Sequence, residues 1–61
     1  MAIKNARTIA EYVIRKWLQD NHFDMDWFQL EMNGEDGILT DRSGDTLKLR
    51  YDKHSKQVIV L

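Results

Sequence analysis

The chain has 61 residues, nine Lys or Arg against ten Asp or Glu, and a net charge of −1. It contains no Cys, which excludes disulfides, thiolate zinc sites and a cysteine nucleophile, and suits a reducing, cytoplasmic setting. A chain this short makes one domain, residues 1–61, burying about 60% of the surface its unfolded form exposes.

Small domains without disulfides or metals gain from a partner, so self-association into a homodimer is one expectation. No apolar run approaches the roughly 18 residues of a membrane span. The opening residues MAIKNAR lack the apolar core of a secretory signal. No membrane role is expected. The charge is unevenly spread. Residues 1–19 carry Lys4, Arg7, Arg15 and Lys16 against Glu11, and residues 42–61 carry five basic residues against two acidic ones. Residues 20–41 hold Asp20, Asp24, Asp26, Glu31, Glu35, Asp36 and Asp41 with no Lys or Arg. Pairing of the acidic middle with its basic flanks is the simplest account, and such surface pairs contribute little stability. Separate recognition faces are the functional account.

The first predicted element is a helix over Thr8–Gln19. On a 100° wheel Ala6, Ile9, Ala10, Val13, Ile14, Trp17 and Leu18 share one half. Thr8 and Glu11 have capping-box spacing, with Asn5 an earlier candidate cap. Asp20-Asn21 offers a stop, Asn21 being suited to the left-handed position. So broad an apolar face fits a sheet better than a coiled-coil seam. Trp17 and Ile14 therefore read as core.

Four runs of period two follow the connection Asp20–Asp26, in which Phe23 and Met25 are the apolar plugs. The first strand, about Trp27–Met32, sends Phe28, Leu30 and Met32 to one face and Trp27, Gln29 and Glu31 to the other. Asn33-Gly34 marks a hairpin, and the second strand, about Gly37–Asp41, sends Leu39 inward. Arg42-Ser43-Gly44 fits a three-residue loop with Gly44 left-handed. That register sets Leu39 opposite Leu47, and the third strand, about Asp45–Tyr51, turns Leu47, Leu49 and Tyr51 inward. The fourth strand is about Gln57–Leu61. A loop of Lys53–Lys56 puts Val58 and Val60 inward, whereas a loop one residue shorter selects Ile59 and Leu61. The first register is preferred.

The expected architecture is α+β: an N-terminal amphipathic helix packed on one face of a four-stranded antiparallel β-meander, α-β-β-β-β. One helix covers one sheet face and leaves the other bare. The bare face should present Trp27, Ile38, Lys48, Arg50, Ile59 and Leu61, a mixture that fits a protein partner. The C-terminal edge strand, with no Pro or charge inside it, is a second candidate surface. Together these features point to a small non-catalytic interaction module that binds a protein partner, a second copy included. The alternative is accessory nucleic-acid binding through Arg42, Lys48, Arg50 and Lys53, although no recognisable nucleic-acid motif is present.

No catalytic, cofactor or metal site is expected. His54 and Ser55 are neighbours in a turn with Asp52, without the geometry of a nucleophile and its base. Asp24 and Asp26, beside His22, and Asp41 and Asp45, around Ser43, lack the spacing of a calcium loop and suit turns. A single helix on a sheet is also expected to leave no space of about 300 Å³ or more for a ligand.

Overall fold

The computed structural model describes residues 7–61. Ala6, the candidate cap Asn5 and Lys4 lie outside the described residues.

Helix α1 spans Ile9–Asp20, with Thr8 as its N-cap. Thr8 is extended (φ −137°, ψ 164°), and its Oγ accepts from the Glu11 backbone N–H at 3.1 Å. The Glu11 carboxylate reaches past the cap to accept from the Arg7 backbone N–H at 3.3 Å. It also accepts from Arg15 Nε at 2.8 Å. This is the expected capping box, shifted by one residue on its return arm. Its consequence is that Glu11, placed by the wheel on the polar half, is buried. Arg15, the first of several causes, holds the Glu11 carboxyl below its ordinary pKa.

The helix stops by a different residue from the one expected. His22, not Asn21, adopts the left-handed conformation (φ 66° against −98°). His22 N–H donates to the Gln19 carbonyl at 3.1 Å and Phe23 N–H to the Leu18 carbonyl at 2.9 Å. These two bonds define a Schellman ending. Asn21 contributes from a right-handed conformation, its side-chain Nδ2 donating to the Trp17 carbonyl at 2.8 Å. The motif's usual apolar contact is made by Phe23, whose ring stacks on Trp17 with centroids 6.0 Å apart.

The sheet has the order β1-β2-β3-β4, with β1 Phe28–Asn33, β2 Asp36–Asp41, β3 Thr46–Asp52 and β4 Gln57–Val60, and every pair is antiparallel. The meander is as the period-two runs predict. In the first hairpin Asn33 faces Asp36, so Gly34 and Glu35 form the turn and Gly34 takes positive φ (63°). In the second, Leu39 faces Leu47 and Asp41 N–H donates to the Asp45 carbonyl at 3.0 Å. Gly44 has φ 93°, as the three-residue loop requires. In the third, Tyr51 faces Val58, so the loop is Lys53–Lys56, closed by Lys56 at φ 59°. The preferred register of the last strand holds.

Helix α1 lies over β2, β3 and β4. Ala10, Ile14 and Leu18 meet Leu39, Leu49 and Tyr51 in the core, with Val13, Trp17, Phe23, Phe28, Leu30, Met32, Leu47 and Val58 half-buried around it. Gly37 leaves room for the β1 side chains packed over it. A Cβ there would sit 3.1 Å from Leu30 Cδ1, 3.1 Å from Met32 Sδ and 3.4 Å from Ile14 Cδ1. Two apolar residues expected on the covered side are not covered. Ile9 is 73% exposed and Val60 is 51% exposed. Ile9 opens the helix, and Val60 stands on the edge strand beyond the helix's shelter.

Candidate interaction surface

Alternation of backbone hydrogen bonding determines what each sheet edge offers. In an antiparallel ladder alternate residues direct their N–H and C=O to one neighbouring strand. Leu61 N–H donates to the Lys48 carbonyl at 2.9 Å, extending the ladder one residue past β4. Gln57, Ile59 and Leu61 therefore bond to β3, and Val58 and Val60 turn their N–H and C=O away from the sheet. By the same alternation Phe28, Leu30 and Met32 direct theirs outward from β1.

The surroundings of the two edges differ. The outer side of β1 carries Gln29, Glu31 and Asn33 on the open face. On the helix side Phe23 meets Phe28 edge to face, with centroids 5.3 Å apart. β4 carries Gln57, Val58, Ile59 and Val60 and no charge. Ile59 is 41% and Leu61 52% exposed on the open face, while Val60 is exposed on the helix side. Beside Val58 a groove of about 390 Å³ opens between α1 and β4, lined by Val13, Trp17 and Val58 with polar residues at its rim. Another groove, of about 520 Å³, runs along β1 and includes Arg15, Met25 and Phe28. The expectation that a two-layer domain leaves no such space is thus not met: open grooves of this size lie along β4, beside the helix, and around the edge of β1.

The predicted bare-face residues fall into rows that the register defines. Ile38 faces Lys48, which faces Leu61 through the bond just described; Asp36 faces Arg50, which faces Ile59. Ile38 on β2 and Ile59 and Leu61 on the β4 side thus form an apolar margin on either side of Lys48. Arg50 is held by Asp36 through two hydrogen bonds, Nε to Oδ1 at 2.7 Å and Nη2 to Oδ2 at 3.2 Å. Arg50 is in turn the main cause that holds the Asp36 carboxyl below its ordinary pKa.

Trp27 stands apart from that group. It precedes β1 in a turn closed by Trp27 N–H to the Asp24 carbonyl at 2.9 Å, and the register continues to place it opposite Arg42. Arg42 stacks its guanidinium 4.1 Å from the Trp27 ring centroid and donates from Nη2 to the Asp26 carbonyl at 3.3 Å. This is cation–π geometry, and it joins one residue from each of two predicted sets. The predicted basic set is dispersed: Arg42 and Lys53 occupy turns at opposite ends of the sheet, with Lys48 and Arg50 between them on β3.

The acidic turn residues serve the backbone. Asp41 Oδ1 accepts from Ser43 Oγ at 2.7 Å, from Ser43 N–H at 2.9 Å and from Asp45 N–H at 3.0 Å. The Ser43 hydroxyl is the leading cause that keeps this carboxyl below its ordinary pKa. Asp52 accepts from His54 N–H at 3.0 Å and from Ser55 Oγ at 3.0 Å. Among the described residues no group of three His, Asp or Glu is arranged to hold a metal, and no helix is long and apolar enough to cross a membrane.

The exposure of Val60 and the Asp36–Arg50 pair escaped sequence reading. The pair could have been found by extending the Leu39–Leu47 register three residues. Comparison with known proteins finds no matching family, no matching curated protein and no matching solved structure.

Proposed function

We propose that this protein is a non-catalytic interaction module whose binding element is the outer edge of β4, which takes an extended strand from a protein partner. The observation that carries this reading is the coincidence of three features on one strand. Val58 and Val60 direct outward backbone donors and acceptors that have no partner among the described residues. Side chains on both sides of the strand, Ile59 and Leu61 on one and Val60 on the other, are apolar and exposed. The strand itself bears no charge. Unprotected edges of this composition template pairing with another chain, and strand addition is an established mode of peptide recognition. On the open face Ile38 extends the apolar margin, with Lys48 and Arg50 as its polar members. Trp27 lies too far along the sheet to share it.

Nucleic-acid binding by Arg42, Lys48, Arg50 and Lys53 draws less support, since Asp36 occupies Arg50, Trp27 carries Arg42 and the four do not converge. Retention on heparin that falls steeply with salt would favour it.

A free peptide of sequence QVIVL, titrated into the full chain and followed by amide chemical shifts, tests the reading. Shifts centred on Val58 and Val60 are expected. Shifts centred on β1 or around Trp27, or none at all in a sample dilute enough to be monomeric, would contradict it.

A further inference from the structure

The geometry points to a second copy of this chain as the strand that β4 takes, paired antiparallel about a two-fold axis at Ile59. This inference rests on the edge reading above and names its partner.

The backbone selects the register. Only Val58 and Val60 have outward N–H and C=O within the ladder. Placing Val58 opposite Val60 of the second copy satisfies both residues at once, giving four hydrogen bonds across the axis. A register centred on Val60 pairs only Val60 with its own copy within β4, giving two hydrogen bonds in place of four. One centred on Val58 brings Val60 against Lys56, whose φ of 59° takes it out of extended geometry. The backbone is thus self-complementary in one alignment.

The side chains agree with that alignment. Ile59 meets Ile59 of the second copy as a non-hydrogen-bonded pair, the arrangement that brings side chains closest. Both lie on the open face, where Ile59 is 41% exposed in the single chain. On the helix side Val60 of the second copy comes to lie over Val58, at the mouth of the groove lined by Val13 and Trp17. This accounts for Val60, an inward-facing residue that its own helix leaves 51% exposed. The charge pattern permits the approach, since Gln57–Leu61 brings no ionised side chain against its copy. The product is one continuous sheet with α1 of both copies on the same side, and each copy's exposed β4 edge is removed.

Sedimentation equilibrium of the full chain at sub-millimolar concentration tests this, with two variants chosen to spare the single chain. Ile59→Glu sets like charges face to face across the axis while meeting Arg50 within the single chain. Val60→Pro removes an N–H that has no partner among the described residues, which an edge strand tolerates. The wild type is expected at twice its 7.3 kDa mass. Each variant should weaken association about tenfold or more, Val60→Pro by deleting two of the four cross-axis bonds. Circular dichroism of the diluted variants should match that of the diluted wild type. A wild type that stays at 7.3 kDa overturns the inference. So does a dimer that both folded variants leave intact. A monomer whose Val58 and Val60 amides shift with added QVIVL peptide would reject the second copy while leaving the edge reading standing.

Discussion

The two edges of this sheet present the same backbone pattern in different settings. On β1 the outward-directed residues are Phe28, Leu30 and Met32, and on β4 they are Val58 and Val60. On β1, Phe23 leaves the Schellman turn and lays its ring against Phe28, and Glu31 places a charge between Gln29 and Asn33. On β4 no charge interrupts the strand, and Ile59, Val60 and Leu61 are each at least 41% exposed. A charge on the strand and a covering loop are recognised means of keeping an edge from pairing. Among the described residues β1 has the charge and an aromatic ring packed at its first residue, and β4 has neither. The residue that completes the helix ending thus also packs its ring against the start of β1.

The largest effect should come from the core on which both edges rest. Ile14 is fully buried and touches the space above Gly37. Ile14→Ala should cost about 2–5 kcal/mol, most of the stability a domain this small has. Urea unfolding would show it. Loss of protection in the inner strands but not at the edges would place the core wrongly.

Phe23→Ala separates the edges. Phe23 is half-buried, so the loss should be about 2 kcal/mol, below the range for a fully buried aromatic. Amide exchange should quicken along β1 and stay unchanged along β4. Equal quickening at both edges would remove Phe23 as the cover of β1.

Gly44→Val acts on the hairpin between β2 and β3 and should be blind to the difference between edges. At φ 93° a side chain is strained, and nothing lies within 4 Å of the new Cβ, so the cost is conformational, about 1–2 kcal/mol. A melt unchanged from wild type would contradict the loop geometry.

The smallest effect is electrostatic. Glu11 has its carboxyl pKa lowered on folding, chiefly by Arg15. The folded value lies below the unfolded one, so its contribution is present above the unfolded value and is lost as pH falls through the folded one. Glu11→Gln should flatten the acid side of the stability curve and leave the edges alike. An unchanged acid limb would show that the Arg15 bond does not form.

Much of this arrangement is legible in the residues. Period-two runs and three turn signals give the meander, and Gly44 sets Leu39 against Leu47. The rest depends on context that local pattern does not carry. A wheel ranks Ile9 with Ile14, but only a helix's position over the sheet decides which is buried. Val60 alternates correctly, yet its strand is an edge and the helix stops short of it. Glu11 is polar by type and buried by its bonds to Arg7 and Arg15. For the candidate surface, Ile38 follows from alternation, and Ile59 and Leu61 follow from alternation only once the Lys53–Lys56 loop is chosen. The commitment of Arg50 to Asp36 needs a cross-strand register, and the stacking of Arg42 on Trp27 needs the turn that precedes β1.

The most direct test of the central claim is residue-resolved amide exchange of the full chain at two concentrations well apart. The account predicts that Val58 and Val60 exchange freely in dilute solution and become protected as concentration rises, while Leu30 and Met32 stay free throughout. Free exchange of Val58 and Val60 at every concentration would contradict it. So would protection that does not depend on concentration, since some part of the same chain, Met1–Ile3 for example, would then cover the edge.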